Sequence, residues 1–197
     1  YKRQGAKDVI DVATPLVLKA IETMNPASSD RPFTMTDMGC ADAGTSLSMV
    51  AKALAEVRAR LPQRPISMVY SDQPRNDYNA LFQIIHGLTD FESYLGKIEQ
   101  VHVFASATSL YDQIGPTNTL DLGFSATAMH WLSRKPGDIS NHVHMVGAEG
   151  KELDRFAEQG RQDWQTILGH RAKELTPGGC LVLVNFGRDE AGRYLGN

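Results

Sequence analysis

The feature that most constrains this chain is a strand-to-helix turn built from small residues. Residues 33–38 are apolar and β-prone, and residues 48–61 repeat apolar positions at helical spacing. Between them runs Gly39-Cys40-Ala41-Asp42-Ala43-Gly44-Thr45-Ser46. Two glycines and small side chains let the backbone turn sharply into a helix and approach a ligand closely. Such a turn places the strand in a buried parallel sheet and makes its C-terminal end a binding edge.

The spacing limits what that edge can hold. A dinucleotide turn reads G-x-G-x-x-G, so that a pyrophosphate rests on the helix N-terminus. Gly39 and Gly44 are too far apart for that pattern, and Asp37 stands before the first glycine. A carboxylate there favours a cationic ligand, such as the sulfonium and amino group of S-adenosylmethionine, over an anion.

The rest of the chain alternates helices and strands. Residues 6–24 read as an amphipathic helix with Val9, Ile10, Val12, Ala13, Leu16, Val17 and Ala20 on its apolar side, kinked or split at Pro15. Residues 66–71 form a second strand ending at Asp72, where a carboxylate accepts hydrogen bonds from ribose hydroxyls in nucleotide-binding α/β folds. Residues 76–87 look helical, 101–105 are a short apolar stretch, and 106–111 suit a loop over an adenine. Residues 119–124 form a further strand that delivers 125–133, with His130 and Trp131, to the same sheet edge. Residues 153–175 make a long helix whose Phe156, Trp164, Ile167, Leu168 and Leu175 are packing residues. Thr176-Pro177-Gly178-Gly179 stops it before a strand at 180–186. The expected fold is an α/β Rossmann-like three-layer sandwich around a mostly parallel sheet.

Composition narrows the class. The 197 residues are 42% hydrophobic with a net charge of −3, enough for one core and without a basic run for nucleic acid or a membrane surface. Cys40 and Cys180 have no metal-ligand spacing, and no apolar run is long enough to span a bilayer, so a cytoplasmic location is expected.

Four stretches, in order, resemble the SABATH family of S-adenosylmethionine-dependent methyltransferases, named for salicylic acid, benzoic acid and theobromine. Asp37-Met38-Gly39-Cys40 is similar to its D-L-G-C, and residues 71–82, Ser-Asp-Gln-Pro-Arg-Asn-Asp-Tyr-Asn-Ala-Leu-Phe, to N-D-L-P-G-N-D-F-N-x-L-F. Residues 125–133, Ser-Ala-Thr-Ala-Met-His-Trp-Leu-Ser, resemble S-S-Y-S-L-H-W-L-S, and residues 174–179, Glu-Leu-Thr-Pro-Gly-Gly, resemble E-L-V-P-G-G. The resemblance implies a class I methyltransferase core, with the chain stopping before the family's helical cap domain. It implies methyl transfer to the carboxylate of a small organic acid or, in some members, to a ring nitrogen.

Carried over by residue, the resemblance implies that Asp37, Gly39 and Cys40 line the methionine and ribose side, with Thr45 or Ser46 at the carboxylate end. Asp72 and Gln73 would read the ribose, Ser109 and Leu110 flank the adenine, and Ser125 lie beside the cofactor; Tyr1 opens the family's N-terminal motif. Thr127, His130 and Trp131 fall on the acceptor side. The family's Y-x-x-N-S-x-x-Q stands here as Tyr1-Lys2-Arg3-Gln4-Gly5-Ala6-Lys7-Asp8, so Asp8 replaces a glutamine that holds the acceptor carboxylate. Asp8 would repel a carboxylate, and Thr127 replaces a pocket tyrosine; both argue against salicylate or benzoate. Some members bind magnesium partly through an asparagine near the position of Asn141, which leaves a metal open, and members are often homodimers.

Two rival readings keep the same core. A nicotinamide-dependent oxidoreductase fits the turn poorly, for the spacing reason above. A degenerate methyltransferase fold serving as a binding module would account for Gly5 and Asp8.

Overall fold

The computed structural model describes residues 4–26 and 30–194. Their order is α1 (Gln4–Thr23), β1 (Phe33–Met38), α2 (Leu47–Arg60), β2 (Ile66–Asp72), α3 (Tyr78–Ile85), β3 (Val101–Ala107), β4 (Leu120–Ala126), α4 (Gly150–Glu174) and β5 (Leu175–Val184). The strands form one sheet in the order β3-β2-β1-β4-β5, with every pairing parallel.

Strand order fixes the layers. From β1 the chain steps outward through β2 to β3, then returns to the other side of β1 and steps from β4 to β5. Right-handed crossovers in opposite directions put α2 and α4 on opposite faces of the sheet. Side chains follow this two-residue alternation. Phe33 and Met35 of β1 join Val50, Leu54 and Val57 of α2 and Val17 and Ile21 of α1 in the larger core. Met38 turns the other way and meets Met129 and Ile167, with Leu181 and Leu183 of β5 packed beside them.

The first helix departs from expectation. It runs as one helix through Pro15, which is exposed together with Val12 and Leu16. The buried side is narrower than the sequence suggests: Ile10, Ala13, Val17 and Ile21. The carbonyl that loses its donor to Pro15 belongs to Asp11, near that outer side, where water can take up the missing bond. The helix before β5 also packs differently. Of its expected packing residues only Ile167 is buried, Leu168 is exposed and Trp164 is half-buried. Its buried stripe is Gln159, Asp163, Ile167, Arg171 and Glu174, at helical spacing but mostly polar.

A polar clamp closes the sheet at its N-terminal end. Asp121, buried in β4, accepts two hydrogen bonds from Arg31 at 2.7 and 2.5 Å and one from the Thr34 amide at 2.9 Å. The Thr176 hydroxyl approaches it at 3.2 Å. This clamp lies at the opposite end of the strands from the turn after β1.

Candidate functional site

The strand order reverses between β1 and β4, and in open parallel sheets ligands sit outside the strands' C-terminal ends at such a switch point. A cavity of about 620 Å³ opens there. The turn after β1 reaches it through left-handed backbone at Gly39, Ala41 and Ala43, with φ of 78°, 49° and 62°. At Gly39 a side chain is excluded, because a Cβ would stand 2.2 Å from that of Ala128. Amides of Gly39 and Cys40 donate to the Ser71 carbonyl, tying the turn to the end of β2. The Ser125 hydroxyl donates to the Met38 carbonyl at 2.8 Å, tying it to the end of β4.

Two carboxylates face this cavity from different surroundings. Asp72 accepts from the Ala41 amide at 2.8 Å and the Gln73 amide at 2.7 Å, which fixes its carboxylate plane at the rim. Around it the Asn76 side-chain amide donates to the Ala41 carbonyl and the Tyr78 hydroxyl to the Asp72 carbonyl, each at 2.7 Å. Asp37 is only 3% exposed and accepts a 2.5 Å bond from the Ser46 hydroxyl. Burial pushes its pKa up to about 6; the Ser46 bond opposes this and neighbouring Asp72 adds to it. A cation entering the cavity would relieve both effects.

The far wall is an irregular segment, residues 127–133, that depends on tethers. Thr127 is left-handed (φ 52°) and its amide donates to the Val184 carbonyl at 2.8 Å. The Tyr111 hydroxyl donates to the Trp131 carbonyl. At the end of the segment the Ser133 amide and hydroxyl donate to the two Asp163 oxygens at 2.8 and 2.7 Å, while Gln159 donates to Asp163 and to Ser133. Further along α4, the Arg171 guanidinium donates to the Leu110 and Asp112 carbonyls and pairs with Glu174, whose carboxylate accepts the Ile114 amide. One helix thus holds both the 110–115 loop and the 127–133 segment.

Most of the expected site residues line this cavity together. Asp37, Gly39, Cys40, Thr45, Asp72, Gln73, Ser109, Leu110, Thr127 and Trp131 all do. Ser125 lies one layer beneath, holding Met38. His130 is not in the lining: its ring packs edge-on against Phe186 at 4.8 Å and burial lowers its pKa. Asp8 is exposed on α1 and also outside the lining, to which that helix contributes Ala6 and Ile10 instead. Tyr1 falls outside the described residues, and Asn141 is exposed. Among the described residues no three His, Cys, Asp or Glu side chains gather as a metal-binding group. The sequence reading missed Ala6, Ile10 and Tyr111 in the lining. The first two carry no chemistry to mark them, and Tyr111 was legible only as the end of a polar loop.

Comparison with known proteins identifies the fold and the family. The sequence is 28% identical over 184 residues to indole-3-acetate O-methyltransferase 1 of Arabidopsis thaliana, covering 84% of this chain and 48% of that protein. It is 24% identical over 197 residues to gibberellic acid methyltransferase 2 of the same plant, covering 91% and 49%. The chain therefore spans about half the length of these relatives. The solved structure of loganic acid methyltransferase with S-adenosylhomocysteine superposes with a TM-score of 0.76 at 22% identity, covering 96% of this chain and 56% of that one. It shares the fold, which is therefore that of the class I methyltransferase core. The family model described as SAM dependent carboxyl methyltransferase matches residues 3–196, and the chain belongs to that family.

Proposed function

We propose that this chain holds S-adenosylmethionine at the switch point between β1 and β4, for transfer of its methyl group to the carboxylate of a small organic acid. The observation that carries the reading is the pair of carboxylates, Asp37 buried and Asp72 at the rim, around a cavity that Gly39 keeps open. Asp72, with both oxygens fixed by backbone amides, suits a ribose diol. Asp37 suits the cationic groups at the other end of the same ligand. Gln73 stands beside Asp72, and Ser109 and Leu110 form the wall expected for the adenine.

When bound, S-adenosylmethionine supplies a methyl group on a sulfonium as the electrophile. The protein's part is to align the acceptor. A carboxylate is ionised at neutral pH, so transfer to it needs no general base. This agrees with a cavity whose lining, among the described residues, holds no histidine; the ring of nearby His130 packs against Trp131 at 5.0 Å and Phe186 at 4.8 Å. Thr127 and Trp131 face the space left for the acceptor, and holding the reactants in attack geometry is worth roughly 7–11 kcal/mol in favourable cases.

The test is incubation of the full-length protein with methyl-labelled S-adenosylmethionine and a panel of carboxylic acids, including indole-3-acetate, gibberellic acid and loganic acid. Expected is label that mild alkali releases, as a methyl ester requires. Alkali-stable label would move the acceptor to nitrogen, and no label with any acid would favour the binding-module reading.

A further inference from the structure

The 127–133 segment carries the acceptor side of the cavity and is anchored midway, where Met129 is buried against Met38 and Ile167, but the chain on either side of that anchor is irregular. Trp131 is 70% exposed, no regular hydrogen-bond ladder runs through the segment, and its entry at Thr127 is left-handed. What fixes its exit is a carboxylate from the opposite side of the chain's connectivity. Asp163 of α4, only 7% exposed, accepts from both the amide and the hydroxyl of Ser133, and Gln159 one turn earlier donates to the Ser133 hydroxyl oxygen and to the Asp163 carboxylate. Gln159 also accepts from the Arg134 side chain at 2.7 Å, so the latch grips two consecutive residues.

The geometry points to Asp163, seconded by Gln159, as a positioning residue for methyl transfer: through Ser133 it sets where Trp131 and Thr127 present themselves to the acceptor. This rests on the cofactor and acceptor reading above. Asp163 does not line the cavity and touches neither partner of the reaction. The cofactor-side loop is held separately, by Arg171 and Glu174 two and three turns further along the same helix. The two latches meet at one point, the Tyr111 hydroxyl on the Trp131 carbonyl, but use different residues of α4: loosening Asp163 alters the acceptor wall and leaves the Arg171 and Glu174 bonds to the 110–115 loop in place.

The separation makes the assignment testable in the full-length protein with Asp163→Ala and the shape-conserving Asp163→Asn. Three readouts are needed: S-adenosylhomocysteine affinity by calorimetry, amide exchange of the peptide spanning residues 127–134, and kcat/KM for whichever acid of the panel is methylated. For Asp163→Ala the expected results are affinity within threefold of the parent, exchange at the Ser133 amide at least tenfold faster, and acceptor kcat/KM at least thirtyfold lower. Asp163→Asn, which keeps an acceptor for the Ser133 amide but sets a donor against the Gln159 side-chain nitrogen, should recover part of the loss. Unchanged exchange and kcat/KM would overturn the proposal, as would loss of S-adenosylhomocysteine binding in step with rate in both variants, which marks a general structural role. Should Asp163→Ala not fold, Asp163→Asn and Gln159→Ala, also outside the cavity lining, carry the test, with smaller changes in the same direction. A parent protein that binds no S-adenosylhomocysteine would instead sink the cofactor reading, and the exchange measurement would still report on the latch.

Discussion

Asp37 does two incompatible things, and the conflict has a measurable sign. Its folded pKa stands near 6, against 3.8 for an ordinary aspartate. Well below pH 3.8 the group is protonated in both folded and unfolded chains and has no effect on stability. As pH rises from about 4 to about 6 the unfolded chain releases the proton first, so stability falls; above that the deficit levels at about 3 kcal/mol. Asp37→Asn should therefore be more stable than the parent at pH 7.5 by up to about 3 kcal/mol, with the difference vanishing toward pH 4; paired urea melts across this range check it. The same variant should bind S-adenosylmethionine more weakly, and the parent should lose affinity on acidification through pH 6. Equal affinities at pH 5 and 7.5 would contradict that role. Gly39 gives a simpler prediction. With φ at 78° and Ala128 2.2 Å from any added Cβ, Gly39→Ala should cost about 2–4 kcal/mol in thermal or urea unfolding.

Among the elements, α4 is the one whose sequence concealed its role. Strands were legible because a parallel sheet demands apolar, β-branched runs, as in residues 66–71 and 180–184, but β5 already starts at Leu175 and runs through the Thr176-Pro177-Gly178-Gly179 that reads as a stop. The turn after β1 was legible because only small residues allow its left-handed steps, and Asp72 because a carboxylate closing the second strand has a chemical meaning. The long helix follows its period as expected, but its inward stripe of Gln159, Asp163, Arg171 and Glu174 reads in sequence like a solvated face. Only the tertiary partners, the carbonyls of the 110–115 loop and the donors of Ser133, turn those residues inward. His130 was legible only to the level of its segment: its place at the sheet edge suggested the acceptor side, and its ring lies against Trp131 of the lining without joining the lining itself. Burial makes the Arg171–Glu174 pair sensitive to loss of either member. Glu174→Gln should destabilise the fold by about 3–5 kcal/mol, read from urea midpoints, since it leaves the Arg171 charge without its counterion.

Across the whole molecule, stability and binding are built at opposite ends of the sheet. The Asp121 clamp joins Arg31, the start of β1, β4 and the beginning of β5 at the N-terminal end. Asp121→Ala should cost about 3–5 kcal/mol while leaving the ligand affinity of the folded fraction within twofold. Unfolding monitored with and without S-adenosylhomocysteine separates the two effects. At the other end, the cavity depends on chain segments far apart in sequence, from Asp37 to Trp131, that the parallel order alone brings together.

The central claim, that this end of the sheet holds the cofactor, is tested most directly by titrating S-adenosylhomocysteine into the chain and its Asp72→Ala variant in a calorimeter. The product analogue binds without an acceptor, so the measurement isolates the cofactor site. The account predicts micromolar, one-to-one binding for the parent and a loss of at least a hundredfold for Asp72→Ala with the fold intact by circular dichroism. Equal affinity in the two proteins would contradict it.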